Sequence, residues 1–175
     1  LMAVQATRMQ GLVSDLLTLS QLEGSPPPPV TESVDLNPLM VQVKSDAVSL
    51  SAMQGETGLP VHAFTFTLPE HLHLAGSRAE IHSAVSNLVN NAVRYTPLGG
   101  KIDVAWTLGD DGQATFSVKD NGVGIAAEHL PRLSERFYRV DPSRSRSTGG
   151  TGLGLAIVKH VASTHNGEVK LFSKP

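Results

Sequence analysis

The sequence predicts an α+β fold, a two-layer α/β sandwich that is preceded by an amphipathic helix. Short segments with alternating apolar residues predict strands, and the turn signal Asp110-Asp111-Gly112 between two of them predicts an antiparallel hairpin. Helical segments are interspersed, but they do not alternate with strands as a doubly wound fold requires. Antiparallel hairpins with helices on one face of the sheet fit this order better.

Composition limits the possible classes of function. The 175 residues are enough for one core with an appendage, and 40% apolar with 17% charged residues indicates a globular chain. A net charge of −2 argues against a general nucleic-acid binder. The sequence has no cysteine, no apolar run of membrane-spanning length and no visible signal peptide. It begins within a helical pattern and ends directly after a predicted strand, so we expect a fragment of a longer protein.

Residues 2–22 are predicted to form one amphipathic helix. Its apolar residues follow a heptad-like pattern: Met2, Met9, Leu12, Leu16 and Leu19. Such a face packs either on its own domain or on another helical segment, and the linker that follows favours the second, in a dimer. Gly24 and the run Pro26–Pro29 then end the helix and form a stiff extended linker.

The next part of the chain predicts three strands and two helices. Strands are expected at residues 34–36, 61–68 and 72–74. Asn37 is predicted to cap the first helix, with Pro38 at its first position. Ser77 and Glu80 form a capping box that opens a long helix ending near Tyr95.

After this helix, strands are predicted over residues 101–108 and 113–120, with Ile102, Val104, Trp106 and Leu108 facing the core. A short helix near residues 127–133, a helix over about 153–164 and a last strand over 168–173 complete the chain. Five of the eight arginines lie between Arg132 and Arg146, which indicates either a solvated loop or a basic flap over an anionic ligand.

A glycine cluster from Gly149 to Gly154 runs directly into the apolar helix pattern that begins at Leu155. Glycines let the backbone approach a ligand closely, and the free N–H groups at a helix start favour a phosphate there. No Gly-Lys-Ser/Thr follows, so this is not a Walker loop. On its own, the cluster is explained more simply as a flexible connection.

Asn87 and Asn91 lie four residues apart, so they share one face of the predicted long helix, and Arg94 lies near the same edge. Two amide oxygens on one face suit a hard cation such as Mg²⁺, which prefers oxygen ligands and keeps water and phosphate around it. Taken alone, the pair is explained more simply as surface residues.

The segment from Asp120 to Ile125 (DNGVGI) directly follows a predicted strand. The carboxylate of Asp120 accepts hydrogen bonds only, so it suits the amino group of adenine and rejects guanine, which has a carbonyl at that position. Ile125 is expected to pack on the ring. Taken alone, an ordinary Asp-Asn-Gly turn is the simpler explanation.

In this order and spacing, the motifs resemble those of the catalytic, ATP-binding domain of bacterial sensor histidine kinases, a fold shared with DNA gyrase and the heat-shock chaperones. The N box is Asn87–Thr96, the first glycine box Asp120–Ile125, the F box Glu135–Arg139 and the second glycine box Gly150–Leu155. The resemblance covers roughly residues 34–173, and the stretch from Glu135 to Gly150 looks closest to the phosphate-starvation sensor kinases.

The resemblance implies three parts of the chain. Residues 1–23 resemble the second helix of the dimerisation and phosphoacceptor bundle, in part. Residues 24–33 are a proline-rich linker, and residues 34–175 are the catalytic ATP-binding domain, truncated at its C-terminus.

The resemblance also implies roles for the central motifs. Asn87 and Asn91 are the implied catalytic and metal-binding residues, holding Mg²⁺ against the phosphates of ATP. Arg94 would contact phosphate, Tyr95 would line the adenine pocket and Asp120 would bind the adenine amino group. The remaining ATP-binding residues of the first glycine box are Gly122, Gly124 and Ile125.

Further implied roles fall on the second half of the site. Phe137 and Arg139 would anchor an ATP lid over residues 140–149, whose Arg144 and Arg146 would reach the phosphates or a partner. The phosphates would lie in the second glycine box, formed by Gly150, Thr151, Gly152, Leu153, Gly154 and Leu155.

One position separates phosphoryl transfer from hydrolysis. Relatives that hydrolyse ATP carry a glutamate base on this helix, where the sequence has Asn87, whose amide cannot accept a proton. In the family the acceptor is a histidine of the first bundle helix. None of the histidines in this sequence lies in that His-Glu-x-x-Thr/Asn-Pro setting: His62, His71, His73, His82, His129, His160 and His165.

The implied full protein is a homodimer through the bundle helix, with this domain in the cytoplasm and the sensor and membrane segments upstream. It would pass the phosphoryl group to the receiver domain of a response regulator, in phosphate-starvation signalling, without binding nucleic acid. Two alternatives stay open: an ATP-hydrolysing relative of the gyrase or mismatch-repair type, and a degenerate scaffold domain. Asn87 speaks against the first, and Asn91, Asp120 and the glycines speak against the second.

Overall fold

A computed structural model describes residues 2–24, 26, 32–55, 59, 61–140 and 150–174. The chain forms two compact units. The central unit comprises residues 29–124, and the terminal unit combines residues 1–28 with 125–175. Most of the predicted linker and all but the first residue of the predicted lid lie outside the described residues. Among the helices described, none is both long and apolar enough to cross a membrane.

The central unit contains two small sheets. Strands β1 (Ser33–Asp35) and β3 (His73–Ala75) pair antiparallel, and β2 (Ala63–Thr67), β4 (Lys101–Leu108) and β5 (Ala114–Asp120) form a sheet of order β2-β4-β5. The hairpin of β4 and β5 is confirmed. The prediction of antiparallel hairpins does not hold for β2, which pairs parallel with β4. The two strands run parallel because the long helix between them, Arg78–Tyr95, is part of a crossover that returns the chain in the same direction.

Helices α2 (Leu36–Ala52) and α3 (Arg78–Tyr95) both begin after an N-cap residue whose side chain accepts a backbone N–H bond. The N-cap of α2 is Asp35, not Asn37 as predicted: the Asp35 carboxylate accepts a hydrogen bond from the Asn37 backbone N–H at 2.9 Å. Pro38 is therefore the third residue of the helix, within the first turn, where the missing N–H costs no intrahelical bond. The bond from the Asn37 N–H holds the pKa of Asp35 below its ordinary value. Ser77 caps α3, as predicted.

The core of the central unit lies between α2 and α3 on one side and the β2-β4-β5 sheet on the other, which confirms the two-layer prediction. Its largest fully buried apolar side chains are Leu36, Leu39, Val43, Val89, Val93, Ile102 and Val104. Trp106 packs on Phe116 with 5.0 Å between ring centroids. Leu108 was predicted to face this core but is exposed, because it sits beside the hairpin turn at the end of β4.

In the described part of the terminal unit the chain forms α1 (Met2–Gly24), a 3₁₀ helix (Ala127–Arg132) and α4 (Gly154–Thr164). Helix α1 contacts α4, where the His160 ring bonds the Leu22 carbonyl oxygen at 3.1 Å. Leu19 and Leu22 of α1 are buried, whereas other apolar residues of the same helix are exposed. The exposed residues are Met9, Val13, Leu16 and Leu17.

Helix α4 ends as predicted at Asn166 and Gly167. Asn166 has a left-handed φ of 57°, and the Gly167 N–H donates to the Ala162 carbonyl at 2.7 Å. The last strand predicted over residues 168–173 is wrong, because this segment pairs with no described strand and therefore lacks the ladder that defines one.

Candidate nucleotide-binding site

The first glycine box closes onto the end of α3 within the central unit. Gly122 donates its N–H to the Asp120 carboxylate at 2.8 Å, forming a tight turn. A Cβ atom at position 122 would lie 2.6 Å from that carboxylate and 2.7 Å from the Tyr95 carbonyl oxygen, so only glycine fits. Gly124 has a φ of 70°, which glycine adopts without strain. The sequence of this box therefore serves a close backbone contact.

Asn121 fixes the other side of the same turn. Its side-chain oxygen accepts the Lys101 N–H at 2.7 Å, and its own N–H donates to the Lys101 carbonyl at 3.3 Å. The turn is thereby tied to the start of β4 as well as to α3. The resemblance implies no role for Asn121, although its place between Asp120 and Gly122 is typical of such a turn.

Asn87 and Asn91 lie one turn apart on α3, and both are half-buried. The Asn87 amide nitrogen donates to the Ser83 carbonyl at 2.9 Å, which leaves the side-chain oxygen to accept or to ligate. Within the described part of the chain, the Asn91 side chain has no hydrogen-bond partner. Arg94 is half-buried and Tyr95 is exposed at the C-terminal end of the same helix.

A buried histidine holds the residue that follows this helix. The His62 ring bonds the Ser51 hydroxyl through Nδ1 and the Thr96 carbonyl oxygen through Nε2, both at 2.9 Å. The carbonyl can only accept, so Nε2 carries the proton and Nδ1 accepts from the hydroxyl. The Ser51 oxygen in turn accepts the N–H groups of Val61 and His62. No sequence motif pointed to this network.

The second glycine box leads directly into α4, as predicted. No side chain among the described residues caps this helix, whose first residue is Gly154. Thr151 donates its hydroxyl hydrogen to the Asp15 carboxylate of α1 at 2.5 Å and accepts the Leu153 N–H at 3.3 Å. Leu153 is fully buried, while Gly150, Thr151, Gly152, Gly154 and Leu155 are half-buried.

The F box contacts the second glycine box through the backbone. The Phe137 N–H donates to the Gly152 carbonyl at 2.9 Å, and a Cβ atom at position 152 would lie 2.9 Å from the Phe137 Cα. Both residues have left-handed φ angles, 63° at Phe137 and 75° at Gly152. The neighbouring Arg136 forms an ion pair with Glu23 of α1.

The predicted site residues divide between the two units. The central unit brings together Asn87, Asn91, Arg94, Tyr95, Asp120, Gly122 and Gly124. The terminal unit contains Ile125, Phe137, Arg139 and the residues from Gly150 to Leu155. Ile125 donates its N–H to the Ser173 hydroxyl at 2.8 Å. Arg144 and Arg146 lie outside the described residues.

The described residues contain no group of three or more histidine, cysteine or acidic side chains that could hold a metal ion. The side-chain oxygens of Asn87 and Asn91 are instead uncharged, which fits a Mg²⁺ ion that brings phosphate oxygens as further ligands. The donor set on α3 therefore matches a metal that arrives with a nucleotide.

A family model described as histidine kinase-, DNA gyrase B- and HSP90-like ATPase matches residues 76–175. The chain is 46% identical to the phosphate regulon sensor protein PhoR of Pseudomonas aeruginosa over 99% of its length and 38% of that protein. It is 37% identical to the sensor-like histidine kinase SenX3 of Mycolicibacterium smegmatis over 99% of its length and 44% of that protein. The chain thus spans roughly two fifths of the length of these relatives.

Solved structures agree with these sequence relatives. The mycobacterial sensor histidine kinase MprB superposes with a TM-score of 0.64 at 28% identity, covering 77% of this chain and 80% of that one. Full-length ShkA, solved in complex with AMPPNP, superposes with a TM-score of 0.68 at 25% identity, covering 89% of this chain and 31% of that one. The chain belongs to the histidine kinase-, DNA gyrase B- and HSP90-like ATPases, as the ATP-binding catalytic domain of a sensor histidine kinase.

Proposed function

We propose that this chain binds ATP with Mg²⁺ and presents the γ-phosphoryl group for transfer to a histidine. The observation that carries the proposal is the closure of the Asp120 turn onto the end of α3, 2.7 Å from Tyr95 O to the Cβ point of residue 122. This contact fixes the Asp120 carboxylate, the proposed acceptor for the adenine amino group, relative to Asn87 and Asn91 of α3.

Asp120 binds the adenine amino group in this proposal. One oxygen of its carboxylate already accepts the Gly122 N–H, and the carboxylate is exposed, so it retains acceptor capacity for a ligand. Tyr95 and Gly124 complete the surroundings of the base within the central unit. Guanine is rejected because its carbonyl would face the carboxylate with no hydrogen between them.

Asn87 and Asn91 hold the metal through their side-chain oxygens. When bound, Mg²⁺ neutralises charge that develops on the phosphates. The bond from the Asn87 amide nitrogen to the Ser83 carbonyl engages the nitrogen of that side chain and leaves its oxygen to ligate the metal. Arg94 adds a positive charge one turn further along α3.

The phosphates bind at the second glycine box, from Gly150 to Leu155, in front of α4. Support comes from the free backbone N–H groups at the start of α4, which no described side chain caps. Phe137 of the F box supports this loop through its backbone bond to Gly152.

Transfer rather than hydrolysis follows from Asn87. A hydrolase needs a group that takes a proton from water, and an amide cannot do so. The nucleotide is therefore held without a base beside it until an external nucleophile arrives. We propose that this nucleophile is a histidine of the full protein, and that the phosphoryl group then passes to a response regulator.

The exposed apolar side chains of α1 support a homodimer of the full protein through this helix. Met9, Val13 and Leu17 are all more than half exposed, which is unfavourable for a helix in water without a partner. The similarity to the phosphate regulon sensor protein PhoR supports a role in phosphate-starvation signalling. We propose that this domain lies in the cytoplasm and that the full protein is anchored in a membrane.

Calorimetric titration with AMPPNP and Mg²⁺ tests the proposal on the wild type, on Asp120→Ala and on Asp110→Ala. Asp110 lies in the exposed hairpin turn and controls for the loss of one negative charge. We expect wild type and Asp110→Ala to bind and Asp120→Ala to lose binding. A wild type that does not bind refutes ATP binding and leaves the scaffold reading, whereas sustained release of phosphate from ATP supports the hydrolase.

A further inference from the structure

We propose that Tyr138, His129 and Arg132 are positioning residues for the nucleotide phosphates, because they fix the F box against the second glycine box. The inference rests on the proposed function, since it assumes that phosphates bind at that glycine box. His129 and Arg132 lie outside the motifs to which the proposal assigns ATP binding. Tyr138 lies within the F box, but the proposal assigns it no contact with ATP.

Phe137 is the residue on which these contacts act. Its φ of 63° lies in the left-handed region, where a bulky side chain is strained. Such a conformation persists only where the residues on both sides are held firmly. Its side chain is 55% exposed, so burial of the ring cannot supply that hold. The restraint must come from the neighbours of Phe137.

On one side, Phe137 is held by the glycine box. Its N–H donates to the Gly152 carbonyl at 2.9 Å, and the Cβ point of residue 152 lies 2.9 Å from the Phe137 Cα and 3.0 Å from its carbonyl carbon. The two backbones are in direct contact, so a shift of Phe137 must displace Gly152.

On the other side, Tyr138 is held by the 3₁₀ helix. Its hydroxyl lies 2.6 Å from Nδ1 of His129. The Glu128 carboxylate lies 3.6 Å from Nε2 of the same ring, which favours the tautomer with its proton on Nε2. Nδ1 is then the acceptor, and the Tyr138 hydroxyl donates to it.

Arg132 closes over the face of the same tyrosine. Its guanidinium carbon lies 4.3 Å from the Tyr138 ring centroid, a cation–π contact. Glu135 accepts hydrogen bonds from Nε at 3.2 Å and from Nη2 at 3.1 Å, which holds the guanidinium plane in place. Tyr138 is therefore fixed at both its hydroxyl and its ring, and Phe137 has no freedom to relax.

The inference separates two parts of the ligand. Loosening Tyr138 lets Phe137 and Gly152 shift, which weakens contacts with phosphates. Contacts with adenine are unaffected, because Asp120 and Tyr95 belong to the central unit. A residue that merely stabilises the fold would change the binding of adenosine and of ADP alike.

The experiment measures the affinities of the whole chain for ADP with Mg²⁺ and for adenosine. The variants are Tyr138→Phe, which removes only the hydroxyl, His129→Ala, and both together. We expect ADP affinity to fall about three- to tenfold in each single variant, as for the loss of one side-chain hydrogen bond, with adenosine affinity unchanged. The double variant should lose no more than the worse single variant, because the two groups form one bond.

His73→Ala is the matched control: this histidine also bonds a hydroxyl, that of Ser33 at 3.3 Å, but both residues are exposed and lie in the central unit. It should bind both ligands as the wild type does. Equal losses for ADP and adenosine, or additive losses in the double variant, would overturn the inference. ADP binding by Tyr138→Phe at wild-type strength would overturn it too, while a wild type that binds neither ligand would refute the proposed function itself.

Discussion

The carbonyl oxygen of Tyr95 lies 2.7 Å from the point at which residue 122 would carry a Cβ atom, so Gly122 closes directly onto the end of α3. The contact joins the two motifs of the central unit that we assign to adenine and to the metal. It is a backbone contact, and it therefore does not depend on side-chain rotamers. Its removal should disturb both motifs at once.

Gly122→Ala tests that contact. The new methyl group meets the Tyr95 carbonyl and the Asp120 carboxylate, and overpacking of this kind costs about 1–3 kcal/mol. We expect AMPPNP affinity, measured by calorimetry, to fall by about tenfold or more, because about 1.4 kcal/mol corresponds to a factor of ten.

Gly11→Ala provides the control for this variant. Gly11 lies within α1, where a Cβ atom would meet nothing within 4 Å. Alanine should stabilise the helix by about 0.5–1 kcal/mol and leave nucleotide affinity unchanged. If Gly122→Ala binds AMPPNP as Gly11→Ala does, the close contact does not shape the adenine site.

Asn91→Ala tests the metal ligands. The wild type should bind AMPPNP more tightly with Mg²⁺ than with EDTA, and the variant should lose that difference. We expect the loss to be about 10- to 100-fold, in the range seen when a metal site is disturbed. Affinities measured by titration at fixed Mg²⁺ and in EDTA give the comparison directly.

Asn90→Ala is the neighbouring control on the same helix. Asn90 is half-buried, as Asn91 is, but its position on α3 is turned by about 100°. It should keep the Mg²⁺ dependence of the wild type. A loss of that dependence in both variants would mean that the helix, rather than one face of it, is responsible.

Much of the central unit was predictable from local sequence. The alternation of Ile102, Val104 and Trp106 placed β4, and Ser77 placed the start of α3, because both signals act within a few residues. The parallel pairing of β2 with β4 was not predictable in this way. Pairing depends on which strands meet after a crossover, and residue patterns in single strands do not encode it.

The candidate site shows the same division. Asp120, Gly122 and Asn91 stand in short motifs that a sequence displays directly. The roles of His62 and Asn121 were missed, because each acts through a partner that is distant in sequence: Thr96 lies 34 residues from His62, and Lys101 lies 20 residues from Asn121. The prediction that Leu108 faces the core was wrong for a related reason. The alternating pattern continues to the end of β4, but the core does not extend that far.

Asp15→Asn tests the link between α1 and the second glycine box. The Asp15 carboxylate accepts the Thr151 hydroxyl at 2.5 Å, so it places a negative charge beside the loop proposed for phosphates. Asparagine can keep the bond without the charge. We expect AMPPNP affinity to rise about fivefold, which corresponds to about 1 kcal/mol of charge repulsion in a water-like medium.

Asp46→Asn makes the same change of charge on the exposed face of α2. It should leave the affinity unchanged, and the gain in Asp15→Asn should shrink as salt is raised, because salt screens the repulsion. An unchanged or weaker affinity in Asp15→Asn would show that α1 does not oppose nucleotide binding in this chain.

His62→Ala tests the buried network behind α3. The variant leaves the Thr96 carbonyl and the Ser51 hydroxyl without their histidine partner and opens a cavity. Lost packing and unsatisfied buried groups together should lower the free energy of unfolding by about 2–4 kcal/mol, measured by urea denaturation. His73→Ala removes an exposed ring that bonds one hydroxyl and should cost far less. Equal losses in the two variants would mean that the buried bonds of His62 stabilise the fold no more than the exposed bond of His73 does.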